Sequence, residues 1–313
     1  MNAYPLRSIT ENEVETYQRD GVVWLPRIID MNWVKLLAEA INRVLTQRIG
    51  NIIDFTGVGL ALDREQLMAT GRWSDPKNQW GTSKQVSGKV LLDAQVKPAG
   101  ERGHYISASD TWRKIPEMRE LALRSPIPKI AAVLMKSQKV YLYGEQILVK
   151  PPGTMEKTAW HSDEGYNHIQ GNQICGVRIP ITEETVEMGP IQYVRGSHRS
   201  GQVYKVNYFV SDASDDDEGA PVPQIEGHEA DFDLVAFTPK PGDVVVHHLR
   251  TLHGAGGNAR PDSTRAAATI RYAGDDVTYK FRRFAPPQDN VSQILKDGDP
   301  LEAEPERFPR AEV

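Results

Sequence analysis

Gly242-Asp243-Val244-Val245-Val246-His247-His248 and Arg265-Ala266-Ala267-Ala268-Thr269-Ile270 flank a glycine-rich connection, Leu252-His253-Gly254-Ala255-Gly256-Gly257-Asn258. The first stretch reads as a turn followed by a buried strand, because Gly-Asp punctuates the chain and a short apolar run follows. The last begins with a cation and continues apolar, so it reads as a second buried strand with a charge at its mouth. The glycines between them mark backbone that must approach something closely. Working outward, short runs of this kind recur from Lys139 onward, at 140–150, 174–182, 191–194, 201–210, 233–238, 243–248 and 265–273. Many short strands separated by turn signals predict a β-sandwich or barrel.

The N-terminal part reads differently. Thr10-x-x-Glu13 is a capping-box pattern opening a helix that Gly21 ends. Val22-Val23-Trp24-Leu25-Pro26 reads as a strand. Trp33, Leu36, Leu37, Ala40, Ile41, Val44 and Leu45 then recur at helical spacing and give an amphipathic helix packed on the core. Residues 51–110 show little periodicity and read either as a lid or binding loop or as a scaffold insertion. Ser125-Pro126-Ile127-Pro128 looks like a helix start. Asp215-Asp216-Asp217-Glu218 lies in an acidic loop, 211–219, that reads as solvated rather than as a calcium site. The chain from Ala285 onward, rich in Pro and charge, reads as an extended surface tail.

At 313 residues and 39% hydrophobic, the chain can bury a large core. The expected organisation is one domain over 1–313: a mostly helical part with a possible lid at 1–138, a β core at 139–284 and the tail at 285–313. A net charge of −5 offers no basic footprint for nucleic acid or an anionic membrane. The single cysteine, Cys175, rules out an internal disulfide and suits a reducing compartment. It sits in an apolar stretch and reads as a small buried residue. No hydrophobic leader or spanning run is visible, so a soluble cytoplasmic protein is expected. Oligomeric state has no signature in the sequence.

Two segments carry chemistry. In an extended chain residues i and i+2 share a face, so His161 and Asp163 would project together, with Trp160 and Ser162 opposite. Of the eight histidines, His161 is the one with Asp two positions on. The triplet alone reads equally well as two polar surface residues. His253 adds a second imidazole, and Arg265, twelve positions later, adds a fixed charge entering an apolar run. Such an arginine needs a partner, either a ligand carboxylate gripped by its planar fork or a core Asp or Glu. Two imidazoles and one carboxylate with open positions make the arrangement of non-haem Fe(II) oxygenases. His247 and His248 are rivals to His253, but on a strand they point to opposite faces, so at most one faces the metal. The glycine-rich context and the spacing to Arg265 favour His253.

These motifs resemble the phytanoyl-CoA dioxygenase family of Fe(II)/2-oxoglutarate-dependent oxygenases. The resemblance covers most of the chain. Ile9-Thr10-Glu11 with Asp20-Gly21-Val22-Val23 is similar to the family's opening helix and strand. Residues 143–154, ending Lys150-Pro151-Pro152-Gly153-Thr154, resemble the strand and turn before its metal motif. Gly189-Pro190-Ile191 with Val194-Arg195-Gly196-Ser197-His198 resembles its Asn-Gly…Pro-Gly-Ser-His segment. Departures are Ser162 where Gln is common, Met188 for Asn and Arg195 for Pro. The resemblance implies a double-stranded β-helix (jelly-roll, cupin-like) core, mainly β with bracing helices. It implies His161, Asp163 and His253 as iron ligands, Arg265 on the distal carboxylate of 2-oxoglutarate, and Gln146 as a polar contact to that co-substrate, with O2 as the second co-substrate. Asp163 argues for oxygen transfer, since related halogenases leave that place to chloride.

Glu164, Tyr166, His168, Arg178 and Gln192 are near enough in sequence to line a substrate pocket, though each also suits a surface or structural role. No Lys/Arg cluster near the metal segments favours a CoA ester, so a free small molecule or natural-product intermediate is expected. Two rival functions are a non-oxidative metal-dependent jelly-roll enzyme, such as an isomerase or epimerase, and a non-catalytic binding protein. The first would need the metal ligands but not Arg265; the second would carry a degenerate ligand set.

Overall fold

The computed structural model describes residues 1–54, 105–154, 156–206, 219–283, 285–286, 288 and 291–313. Its elements are α1 (Glu11–Asp20), β1 (Val22–Leu25), α2 (Met31–Gln47), β2 (Asn51–Asp54), β3 (Ile106–Ser109), α3 (Pro116–Arg124), α4 (Pro126–Met135), β4 (Tyr141–Lys150), β5 (Thr158–His161), β6 (Ile169–Gln170), β7 (Ile174–Pro180), β8 (Ile191–Val194), β9 (Leu234–Ala236), β10 (Val244–His248), β11 (His253–Ala255), β12 (Arg265–Ala273), β13 (Thr278–Tyr279) and α5 (Val291–Ile294). Seven strands pair in the order β1-β10-β7-β12-β4-β3-β2, four in the order β5-β11-β8-β9, and β13 pairs with β6. All the strand pairings are antiparallel. The fold is mainly β with bracing helices, the jelly-roll class expected.

Alternation along the long strands gives the seven-stranded sheet two unlike faces. Ala266, Ala268, Ile270 and Tyr272 of β12, Cys175, Val177 and Ile179 of β7, and Val244 and Val246 of β10 join the stripe of α2 in one apolar cluster. That stripe is Trp33, Val34, Leu37, Ala40, Ile41 and Val44. The intervening residues, Arg265, Arg271, Arg178, Gln146, Lys150 and His247, face the barrel interior, where Arg271 and His247 both reach Asp163.

Local chemistry sets the helices. Thr10 Oγ1 accepts from Glu13 N, and Glu13 Oε2 accepts from Thr10 N, closing the expected capping box. Gly21 ends α1 at φ 73°, a left-handed conformation that favours glycine. A side chain there would also collide with His198 and Thr251. Ser125 caps α4 through Ile127 N, with Pro126 in the first turn. On the helix side of β4, Glu145 accepts from Thr111 N at 2.5 Å and Thr111 Oγ1 at 2.7 Å. Burial pushes its carboxyl up to about 7.

Three expectations need correction. The chain from Ala285 is not a surface tail. Phe308 is fully buried and stacks on Tyr143 at 5.6 Å, Leu142 N donates to Pro309 O, and Ala311 N donates to Val140 O. A register shift at Arg271/Tyr272 places Tyr143 opposite neither residue and re-aims it towards Phe308. Second, residues 201–206 form no strand, only a bridge between Tyr204 and Ala220. Third, the ends of the 51–110 stretch are strands β2 and β3, which extend the sheet beyond β4; its interior, like most of the acidic loop at 211–219, lies outside the described residues. Cys175 is fully buried on β7, as expected. Among the described residues no helix is long and apolar enough to cross a membrane.

Candidate metal centre

His161 ends β5 directly opposite His253 on β11. Their rings lie 4.3 Å apart, and ligand atoms of His161, Asp163 and His253 all fall within 4.8 Å of one another. All three residues are buried. His161 Nδ1 lies 2.8 Å from Ala159 O, and His253 Nδ1 lies 2.9 Å from Thr251 O. Each carbonyl holds the proton on Nδ1 and leaves Nε2 as the ligand atom, the usual way a metal-binding imidazole is fixed. Burial, then the adjacent His161, holds His253 well below the ordinary histidine range, so it stays neutral and able to ligate. The donor set therefore fits a divalent metal.

Asp163 reaches this cluster by a turn. Strand β5 stops at His161, and Asp163 has φ −71° and ψ −25° at the start of a single 3-10 turn, Glu164–Tyr166. The extended His-x-Asp geometry expected from sequence is absent. Ser162 is buried, and its Oγ has no hydrogen-bond partner among the described residues. Burial alone would raise the Asp163 carboxyl, but the Arg271 guanidinium and contacts from His161 and His247 hold it well below the usual range.

The loop before His253 is built by distant elements. Thr251 Oγ1 donates to Gly21 O, and Leu252 N donates to Ser197 Oγ. Gly189, at φ 58°, lets the start of β8 lie against Gly256 and Gly257, where a Cβ would clash. Gly176 likewise leaves room for His247, whose ring a Cβ would approach to 2.7 Å. His248 points away, with Nε2 on Asn172 O and Nδ1 accepting from Arg250 N.

A second cluster lies in the same interior. Arg265 is buried and donates to the carbonyls of Met188 and Gly189. It makes no ion pair among the described residues. Arg178 Nη2 meets Glu184 Oε1 at 2.5 Å, while Arg178 Nη1 and Tyr193 Oη are buried without hydrogen-bond partners among the described residues. Lys150, opposite Arg265 in register, donates to Glu156 O, Thr158 Oγ1 and Gly256 O. Burial, then Arg265, pulls its amine well below the usual lysine value. Arg178 and Arg265 share one acid, Glu184, among the described residues, while Glu156 acts on Lys150. The two guanidiniums exceed the one acid between them, and an anion at Arg265 would balance it.

Of the other residues singled out, Gln146 faces the interior, accepting from Arg271 Nη2 at 2.8 Å and donating to Ser107 Oγ at 3.0 Å. Tyr166 packs edge-on to His161 at 5.6 Å. Glu164 is buried between Arg250 and Arg282. His168 is held by Arg282 N and Pro286 O and stacks on Phe281. Gln192 is exposed, on the face of β8 opposite Tyr193. Sequence reasoning missed Arg271 and Tyr193. Arg271 shares the parity of Arg265 along β12, which was a usable signal; the ring of Tyr193 stacks on His253 at 5.7 Å without any sequence cue.

The Phytanoyl-CoA dioxygenase (PhyH) family model matches residues 17–267, and the chain belongs to that family. An ectoine dioxygenase from Sphingopyxis alaskensis (strain DSM 13593 / LMG 18877 / RB2256) is 25% identical over 209 residues, covering 63% of this chain and 67% of that one. Among solved structures, SnoK, a non-heme alpha ketoglutarate dependent carbocyclase from nogalamycin biosynthesis, is 26% identical with a TM-score of 0.64, and 97% of each chain is covered. The epimerase SnoN in complex with Fe3+, alpha ketoglutarate and nogalamycin RO is 21% identical with a TM-score of 0.62, covering 96% of this chain and 97% of that one. The last likeness speaks to the fold.

Proposed function

We propose that the chain is a non-haem Fe(II)/2-oxoglutarate-dependent oxygenase that oxidises an unactivated C–H bond of a small molecule or natural-product intermediate, with hydroxylation as the default outcome. The observation that carries this reading is the pairing, inside one barrel, of three convergent ligand groups with two buried guanidiniums, Arg178 and Arg265, that share one acid. His161, His253 and Asp163 hold the iron. Arg265 receives the far carboxylate of 2-oxoglutarate, and Tyr193 Oη and Arg178 Nη1 have hydrogen-bonding capacity to spare beside it. Bound together, iron, 2-oxoglutarate and O2 supply the oxidising power, with succinate and CO2 released and a hydrogen removed from the substrate carbon. The chain's own contribution is to hold these groups in a buried site and keep bulk water from them. A small-molecule substrate is supported by the likeness to an ectoine dioxygenase and to a carbocyclase of nogalamycin biosynthesis. The same site allows ring closure or epimerisation when the substrate carbon is held differently.

Anaerobic addition of 2-oxoglutarate to the Fe(II)-loaded protein is expected to produce a weak visible charge-transfer band, absent in His161→Ala and weakened in Arg265→Ala. Succinate release then screens substrates. A folded, iron-loaded protein with no band would overturn the oxygenase reading in favour of a non-oxidative metalloenzyme.

A further inference from the structure

Asp163 has two oxygens, and a metal that took both would lose a position needed by a chelating co-substrate and O2. Oδ1 lies on the His161 side, 3.6 Å from its Nε2. Oδ2 is approached by Arg271 Nε at 3.3 Å and by His247 Nε2 at 3.3 Å, and Arg271 Nη2 lies 3.4 Å from Oδ1. Among the described residues His247 Nδ1 has no partner, so the proton that serves this contact belongs on Nε2. Arg271 is itself braced. Its Nη2 donates to Gln146 Oε1, and the bond from Gln146 Nε2 to Ser107 Oγ fixes which end of the amide faces the guanidinium.

We propose that Arg271 is a positioning residue that holds Asp163 as a one-oxygen metal ligand, with Gln146 bracing the guanidinium and His247 sharing the second oxygen. This rests on the metal-site assignment above and adds a division of labour along β12. Arg265 and Arg271 share its interior face, and six residues of strand separate them by roughly 20 Å. Arg265 serves the co-substrate, whereas Arg271 serves the metal through Asp163. Gln146 then acts on the metal ligand set rather than directly on 2-oxoglutarate.

The test is an anaerobic titration with Co(II), whose visible spectrum reports coordination number, followed by Fe(II), both without co-substrate. Arg271→Met is expected to weaken metal binding by about 10- to 100-fold, the usual cost of losing an outer partner of a metal ligand, and to change the Co(II) band shape. Arg271→Lys, which retains the charge on a single nitrogen in place of the planar fork, recovers part of both. Gln146→Leu gives a smaller loss in the same direction, and Arg265→Met leaves metal affinity within about twofold while weakening 2-oxoglutarate binding. Wild-type metal affinity and spectrum in folded Arg271→Met would overturn the proposal, as would a loss confined to co-substrate binding. Should Arg271→Met not fold, Arg271→Lys and Gln146→Leu decide it: an unchanged Co(II) spectrum in both refutes the clamp. If the wild-type protein bound no metal, the proposed function would fail first, which is a distinguishable result.

Discussion

The two faces of the seven-stranded sheet use the same strands for opposite ends. On β12, Ala266, Ala268, Ile270 and Tyr272 enter a dry cluster with the helices, while Arg265 and Arg271 carry charge into the barrel. On β10, His247 meets Asp163, and the next residue, His248, lies outside the barrel between Asn172 and Arg250. A buried apolar side chain contributes by leaving water, without regard to direction. A buried charge needs a partner, supplied by the protein or by a ligand. The helix side therefore sets stability, and the interior side spends part of it to assemble a site.

The sharpest way to break this comparison is Ile270→Ala on the helix face. Its side chain is fully buried, so the loss should be about 2–5 kcal/mol, read as a lower urea midpoint. The folded fraction should still bind metal with wild-type affinity. A selective loss of metal binding would mean that the faces are coupled.

Acid tests His248 of β10. Burial, then His198, holds His248 down to about 3 against an ordinary 6.5. The folded protein keeps it neutral while the unfolded chain takes a proton, so stability should fall as pH drops from about 6.5 towards about 3. His253 works in the same direction, and Asp163, whose folded carboxyl is depressed, contributes above its unfolded value and loses that contribution in acid. The urea midpoint of the metal-free protein should decline less steeply in His248→Gln, which can retain both hydrogen bonds. Parallel pH profiles for the two proteins would show that His248 contributes nothing to acid sensitivity.

Gln192→Ala is the smallest expected effect. Gln192 and Tyr193 are consecutive, one exposed and the other against His253, so removing the first should change stability by no more than about 0.5 kcal/mol. Metal and co-substrate binding should stay at wild-type levels. A marked drop in substrate turnover would bring Gln192 back as a substrate contact.

Patterns that repeat along the chain were legible without tertiary structure. The capping box at Thr10, the stripe of α2, the bounds of β12 and the burial of Cys175 all follow from local chemistry or from alternation between faces. The two histidines and the aspartate that cluster in the barrel were legible as candidates as well, because few residue types can ligate a metal. The tertiary structure decided matters that depend on distant partners. Asp163 joins His161 through a turn rather than along a strand, and the short β11 depends on cross-strand pairing that its glycines do not advertise. Phe308 belongs to the core because the irregularity in β4 turns Tyr143 towards it. Glu164 is spoken for by Arg250 and Arg282, which lie far away in sequence. Composition and periodicity specify which side chains must be buried and which can ligate or carry charge. Which of them meet is settled by register and packing, since those bring together residues about 100 positions apart, such as Arg271 and Asp163.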